Sequence, residues 1–248
     1  MVEVESNEPG LSSGSTRSSP FDVTRAFTFF FEDRDWVPKL AIGALCAFLS
    51  PFLIGLVFMM GYAVSLARRV RGGELPGLPE WNDLQTIFFD GLRGLIVTVA
   101  HKLPLVFLGI LLLFALMGGI FLGRSEDSLE EFMFLGLPAL FGGFVVVSLL
   151  ALVVIVYVPA AFVRFIQTDN VASAFDFIEN VEFIRGNLSP YLTGVLVIVL
   201  SGFVAQFGLF FFCIGVFPAT FWSTCVMGYV VGELSKLGVA APTEGQAS

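Results

Sequence analysis

The sequence predicts an all-α integral membrane protein, and three observations support that fold class. Apolar residues make up 56% of the 248 positions, whereas charged residues make up only 14%. An ordinary soluble domain is about 45–50% apolar and about 25% charged, and the mean hydropathy of +0.87 is correspondingly high. The apolar residues also form runs that reach the roughly 20 positions needed to cross a bilayer. This composition excludes a soluble globular enzyme, a disordered chain and a disulfide-rich secreted module.

We predict a helical bundle of about five transmembrane helices in a single membrane domain, residues 21–236, with disordered polar tails at 1–20 and 237–248. The predicted spans are residues 40–66, 105–122, 140–163, 191–211 and 219–234. The first span contains Ser50-Pro51 near its middle, which is compatible with a kinked crossing or with a re-entrant hairpin. Length favours the crossing, which we adopt, while the distribution of Lys and Arg between the two sides favours the hairpin.

Three amphipathic interface helices each precede a predicted span, at residues 21–31, 84–101 and 171–185. Each places apolar residues at helical spacing on one face and acidic or mixed polar residues on the other. Helices that bind anionic lipid by charge are instead rich in Lys and Arg, so we expect these three to pack on the bundle or on a partner. The predicted apolar face of the third helix consists of Ala174, Phe177, Ile178, Val181 and Ile184. Its predicted polar face includes Asn180.

The charge and the reactive residues limit the classes of function. The net charge is −8, from 13 Lys and Arg against 21 Asp and Glu, which argues against a nucleic-acid partner because phosphate binding needs a basic surface. The three cysteines lie in apolar runs without metal-ligand spacing, and His101 is the single histidine. We therefore predict no catalytic residues, no metal, no cofactor and no enzymatic activity. The expected surroundings are the lipid bilayer of the cell membrane, with a membrane protein or a second copy as candidate partner.

Six polar residues are candidates for binding. They are Arg68, Arg69, Asp90, Arg93, His101 and Gln206. Asp90 and Arg93 can pair at i,i+3 beside the basic turn that follows the first span, which predicts a polar groove for a lipid headgroup or a partner. An ordinary ion pair on a wet helix face is the alternative.

The other two candidates also allow two interpretations each. His101 could relay a proton beside Asp90 and Arg93, although a histidine that ends the helix together with Lys102 and Pro104 is the interpretation we favour. Gln206 is the most polar residue in the middle of a predicted span. It could line a substrate path, but a hydrogen bond between helices is the simpler role.

Two patterns of glycine are also informative. Gly228 and Gly232 form a Gly-x-x-x-Gly step, which indicates close packing inside the bundle or dimerisation. Met60-Gly61-Tyr62 and Met227-Gly228-Tyr229 resemble each other. A duplicated unit with both pairs at one membrane face would explain this, as would chance in so apolar a chain.

Several short motifs, taken in order, carry a resemblance to a known family. They are Phe31-Glu32-Asp33-Arg34-Asp35-Trp36, Ile42-Gly43, Gly61-Tyr62, Arg68-Arg69, Gly72-Gly73-Glu74, Leu78-Pro79-Glu80-Trp81-Asn82-Asp83, Asp90-Gly91-Leu92, Tyr157-Val158-Pro159-Ala160-Ala161 and Ala174-Phe175-Asp176-Phe177. Over roughly residues 25–235 the sequence resembles the prokaryotic membrane family catalogued as domain of unknown function 4013. The resemblance implies a multi-pass membrane protein without an assigned function, and it supplies no catalytic residues.

The function we predict is that of a non-enzymatic integral membrane protein that organises lipid or binds partner proteins. A small transporter or channel component is the alternative, suggested by the proline-containing spans, the repeated Met-Gly-Tyr and Gln206. The centres of the predicted spans contain no Asp, Glu, Lys or Arg. This argues against a proton-coupled pump, which usually needs such a group inside the membrane.

Overall fold

The computed structural model describes residues 22–74, 77–122, 132–210 and 214–238. Over these residues the chain is helical and contains no β-strand, which confirms the all-α prediction. The α-helices are α1 Val23–Thr28, α2 Trp36–Phe48, α3 Ile54–Gly72, α4 Leu84–Leu122, α5 Leu137–Thr168, α6 Phe177–Gly186, α7 Leu188–Gln206 and α8 Val216–Leu234. Short 3-10 turns lie at Phe29–Glu32, Ser50–Phe52, Val171–Phe175 and Phe207–Phe210, and a π-helical turn lies at Phe132–Gly136.

Three segments of the described chain are long and apolar enough to cross a membrane. They are Leu84–Gly118, Leu137–Thr168 and Leu188–Phe210. Helices with these properties belong in a bilayer, so the protein is a membrane protein. α2 is apolar but has only 13 residues, fewer than the roughly 20 that a crossing needs. These three segments do not establish the predicted count of five spans, which included a single crossing at residues 40–66.

The segment predicted as one kinked span, residues 40–66, is a helical hairpin. Pro51 has no N–H to continue the hydrogen bonds of α2, and its ring crowds the preceding turn, so the helix ends here instead of bending. Leu53 completes the reversal with a φ of 63°. Gly55 then lets the backbone of α3 approach the carbonyl group of Cys46 on α2, where a side chain would collide. The predicted crossing is thus corrected to the alternative, in which the chain turns back.

The predicted interface helix 84–101 and the predicted span 105–122 are one continuous helix, the 39-residue α4. We expected His101 and Pro104 to end the first of them, but Pro104 lies inside α4. A proline within a helix leaves one carbonyl without its donor, whereas a helix end leaves four. In apolar surroundings, where water cannot bond these groups, continuing the helix therefore costs less free energy than ending it.

Glycines set the packing around α3, the central helix of the bundle. A Cβ added to Gly228 of α8 would lie 2.6 Å from the carbonyl oxygen of Ala63, and one added to Gly232 would lie 2.7 Å from that of Ala67. The Gly-x-x-x-Gly step thus packs inside this chain, against Ala-x-x-x-Ala of α3. Because the contacts advance together along both helices, α3 and α8 run parallel. Gly61 and Gly228 consequently lie near the same level, as a duplicated unit requires.

Three helical hairpins, α2–α3, α4–α5 and α7–α8, each begin and end at the same end of the bundle, which we call the polar end. The Arg71 guanidinium donates to the carbonyl of Gln167 at 3.0 Å, which joins the final turns of α3 and α5. The Gln167 amide donates to the carbonyl of Leu237 at 2.9 Å, which adds the end of α8. Lys39, at the start of α2, bonds the carbonyl of Leu78 at 3.1 Å.

The third amphipathic segment is a 3-10 turn followed by α6, and α6 buries a different face from the one predicted. Asn180, expected on the polar face, is fully buried, while Phe177 and Ile178 are 65% and 70% exposed. The Asn180 amide donates to the Tyr157 hydroxyl at 2.8 Å and to the carbonyl of Ala174 at 3.0 Å. These hydrogen bonds dock α6 through a polar side chain, which turns part of the predicted apolar face outward.

The outer halves of α4 and α5, residues 104–122 and 132–155, form a hairpin that we call the arm. None of the arm side chains that the structure describes is buried. In the apolar 18-residue stretches of α4 and α5, 0% of the residues are buried, compared with 33% in that of α7. Gly143 packs on Leu112 and holds the two arm helices together. An apolar groove of about 470 Å³ runs between them.

Candidate functional site

Three of the six candidate residues meet in one ionic network at the polar end. Asp90 faces inward from α4 and is 3% exposed. Its carboxylate accepts a hydrogen bond from the Arg68 guanidinium of α3, and Arg93 lies 3.5 Å from its other oxygen. The second terminal nitrogen of Arg68 contacts Asp169, just beyond α5, at 2.5 Å. The network therefore joins α3, α4 and the end of α5.

Arg68 serves this junction as a cross-link. Both of its terminal nitrogens have a carboxylate partner, and its guanidinium carbon lies 5.8 Å from the centre of the Phe165 ring. A guanidinium engaged in this way has little left to offer a headgroup phosphate. Arg93, with a side chain 51% exposed, is the accessible cation of the network. The predicted polar groove is thus a structural junction with one open basic residue.

Arg69 belongs to a different contact from its neighbour Arg68. Successive residues of a helix point about 100° apart, so Arg69 faces the turn that follows α3. Its guanidinium lies 3.5 Å from Glu74 and donates to the carbonyl of Leu78 at 3.4 Å. The predicted basic pair is therefore divided between the ionic network and this turn.

His101 does not lie beside Asp90 and Arg93. It follows Asp90 by 11 residues, which is about 16 Å along α4, so the proton relay that we considered is corrected. The ring Nδ1 lies 2.7 Å from the carbonyl of Val97. The imidazole stacks on Phe175 with ring centres 5.0 Å apart, and it lies 5.3 Å from the ring of Tyr157. His101 thus contributes to the docking of the segment that follows α5.

Gln206 is the last residue of α7 and is exposed. We expected it in the middle of a span at residues 191–211, but α7 begins earlier, at Leu188, and its α-helical part ends at this glutamine. Its amide makes no hydrogen bond to the residues that the structure describes. The position is therefore neither a point on a path through the bundle nor a bond between described helices.

A buried cluster at the start of α2 was missed by the sequence reasoning. Lys39 is 5% exposed, and its Nζ lies 3.0 Å from the Asp33 carboxylate and 2.6 Å from that of Glu80. Asp33 also accepts a hydrogen bond from the Leu78 N–H at 2.7 Å. The signal was present, because Asp33 and Glu80 belong to two motifs of the family resemblance. Lys39, which bonds both carboxylates, joins these two motifs in space.

The hydrogen bonds of this cluster keep both charges in place. Burial alone would raise the pKa of Asp33, but bonds from the N–H groups of Leu78 and Asp35 and from Lys39 hold that pKa below its usual value. Burial would likewise lower the pKa of Lys39, but its bonds to Glu80 and Asp33 raise it. The aspartate and the lysine are consequently both ionised at neutral pH.

Two contacts of Tyr62 attach the turn between α3 and α4, which contains Leu78, to α3. The Tyr62 hydroxyl donates to the carbonyl of Pro79 at 2.9 Å. The Trp81 ring stacks on the Tyr62 ring with centres 4.6 Å apart. In the parallel helix α8, Tyr229 stacks on Phe29 at the same separation of 4.6 Å. The two Gly-Tyr pairs therefore share a local arrangement, in which the glycine packs on a helix and the tyrosine on an aromatic ring.

Within the described ranges, no three His, Cys, Asp or Glu side chains are grouped so that they could hold a metal ion. No curated protein and no solved structure matches the chain. A family model described as "Protein of unknown function (DUF4013)" matches residues 44–214, which is more than two thirds of the sequence. The match begins after residues 31–36, which we had included in the resemblance. The chain therefore belongs to the DUF4013 family of proteins of unknown function.

Proposed function

We propose that the protein is a non-enzymatic integral membrane protein that takes up lipid or the helices of a membrane partner along its arm. One observation carries the proposal: none of the described arm side chains is buried, although the arm is almost entirely apolar. Large exposed apolar surfaces mark sites of protein or membrane interaction. A single pair of helices also leaves most of its packing surface free for another helix or for acyl chains.

The arm is a better candidate for the binding surface than the polar end, because the charges of the polar end are mostly paired with one another. Arg68 pairs with Asp90 and Asp169, Arg164 pairs with Glu179, and Lys39 with Asp33 and Glu80. Ion pairs of this kind fix helices in position and leave few groups for an acid–base reaction. The function that we propose accordingly needs no catalytic residue, metal or cofactor.

The transport alternative has no comparable observation in its favour. The space enclosed where α3, α5 and α8 meet is about 10 Å³, which is roughly room for one water molecule. Gln206, the residue that suggested a substrate path, lies exposed at a helix end.

Site-specific photo-crosslinking in native membranes tests the proposal. A photo-reactive residue replaces Leu113 on the arm, which is 56% exposed, or Leu196 on α7, which is 57% exposed. The two positions are matched in exposure, so bulk lipid should reach both. We expect position 113 to give a discrete protein adduct or one enriched lipid class, and position 196 to give adducts that follow bulk lipid composition. Identical adducts at both positions would contradict the proposal.

A further inference from the structure

Both helices of the arm contain a proline where they leave the bundle. Pro104 lies inside α4 and Pro159 lies inside α5. The two sites face each other, because His101 and Tyr157, just before the prolines, have ring centres 5.3 Å apart. Burial changes at this level: α5 is buried from Pro159 to Val163 and exposed or half-buried throughout its outer part. The prolines therefore mark the junction between bundle and arm on both helices.

A side chain from another helix enters the hydrogen-bond ladder of α5 at this junction. In an unbroken helix the N–H of Ala160 donates to the carbonyl of Val156, four residues earlier. Here the Tyr191 hydroxyl of α7 accepts from the Ala160 N–H at 3.1 Å and donates to the Val156 carbonyl. Pro159 contributes no N–H of its own. A proline and an inserted side chain are two of the usual causes of a helix kink, and α5 has both at one point.

The ladder of α4 is weakened at the matching level. Pro104 leaves the carbonyl of Ala100 without its usual donor. One and two turns before the proline, side chains of the same helix bond backbone carbonyls: His101 Nδ1 lies 2.7 Å from Val97 O, and the Thr98 hydroxyl donates to Gly94 O at 2.9 Å. A threonine hydroxyl that bonds the carbonyl four residues back often bends its helix. The backbone hydrogen-bond ladder is therefore weakened at both connections between arm and bundle.

We propose that Pro104 and Pro159 form a paired hinge about which the arm moves as one hairpin. The hydrogen bonds of Tyr191 set the angle between the arm and the bundle. The arm helices move together because Gly143 and Leu112 hold them in contact. The hinge concerns the motion of the arm and holds whether the arm binds lipid, a protein partner or neither.

The hinge predicts a measurable displacement. Val146 lies 13 residues from Pro159, which is about 20 Å along α5. A change of about 20° in the kink, the size at which helix kinks are called sharp, moves Val146 by about 7 Å. Distances of this kind are measured by pulsed electron paramagnetic resonance between two spin labels.

The experiment uses the full-length chain in lipid nanodiscs, with the three native cysteines replaced by alanine. One label pair joins the arm to the bundle, at Val146 and Leu196, and a reference pair lies within the bundle, at Leu45 and Leu196. We expect Tyr191→Phe to shift or broaden the arm-to-bundle distance by about 7 Å and to leave the reference pair unchanged. We expect the double substitution Pro104→Ala and Pro159→Ala to narrow the arm-to-bundle distribution.

Tyr229→Phe is the matched control, because Tyr229 is also buried but its hydroxyl makes no hydrogen bond to the described residues. It should change neither distance. The proposal is overturned if Tyr191→Phe leaves the arm-to-bundle distance as in the parent, or if it broadens the reference pair equally. If Tyr191→Phe fails to fold, the double proline variant decides, and an arm-to-bundle distribution that it does not narrow refutes the hinge.

Discussion

Replacing Lys39 by methionine removes a buried cation while it keeps an unbranched apolar side chain of similar length. The Asp33 carboxylate, with its side chain 8% exposed, then loses a partner at 3.0 Å. Breaking a buried ion pair by removing one partner costs about 3–5 kcal/mol. Asp33 retains hydrogen bonds from the N–H groups of Leu78 and Asp35, each at 2.7 Å. We therefore expect a loss near the lower limit, about 3 kcal/mol, or roughly a 100-fold larger unfolding constant.

Equilibrium unfolding by SDS in bicelles, followed by tryptophan fluorescence, measures this loss. Lys236→Met is the matched control, since Lys236 also bonds a glutamate, Glu233 at 2.8 Å, but its side chain is 36% exposed. An exposed pair of this kind contributes about 0.5 kcal/mol or less. The double variant Lys39→Met and Asp33→Asn leaves no buried charge in this cluster and should recover stability. The reasoning is refuted if Lys39→Met costs no more than Lys236→Met, or if the double variant recovers nothing.

Three further outcomes follow from the structure. Because the pKa of Asp33 is lower in the folded protein than its usual 3.8, its stabilising contribution is present above that pH and is lost as the pH falls below it. Asp33→Asn should therefore reduce the loss in the free energy of unfolding that occurs as the pH is lowered into the acid range. Gly61→Ala places a methyl group against the backbone carbonyl of Ile87 and should destabilise by about 1–3 kcal/mol. Gly109→Ala meets nothing within 4 Å and should stabilise by up to about 1 kcal/mol, as SDS unfolding of both variants would show. Cysteines introduced at positions 24 and 236 should both react with an impermeant maleimide added to the same side of the membrane. If only one of them reacts, the hairpins do not all return to the polar end.

The sequence was sufficient for the fold class, because hydropathy is a property of single residues summed over a window. It was insufficient for the course of the chain at two prolines, which have opposite effects. Pro51 ends α2, whereas Pro104 is accommodated inside α4. Both prolines lie within largely apolar stretches, and polar residues precede each of them, Ser50 at the first and His101-Lys102 at the second. The difference arises from tertiary packing, since Gly55 admits a close antiparallel neighbour at the first position and the second lies where α4 leaves the bundle.

The candidate site was predicted in part for a similar reason. Asp90 and Arg93 share one helix and lie close to the basic end of α3 in sequence, so their meeting with Arg68 could be anticipated. The partner of Arg68 across 101 residues, Asp169, could not. Lys39 and the Leu78 turn are likewise separated by 39 residues. Asn180 was misplaced because a helical periodicity assigns amides to the solvent-facing side. Its burial is explained by the hydrogen bonds that it donates to the Tyr157 hydroxyl and to the carbonyl of Ala174.

The parallel packing of α8 on α3 has a consequence for the order of assembly. The hairpins α2–α3 and α4–α5 are built from consecutive helices and can form as the chain is made. The contact of Ala63 with Gly228 instead joins residues at opposite ends of the domain, so the small-residue face of α3 stays uncovered until the last hairpin has been synthesised. Long-range contacts of this kind form late. A nascent chain that ends before α7 would therefore present a bare Ala-x-x-x-Ala face, the part of the bundle most in need of protection during biogenesis.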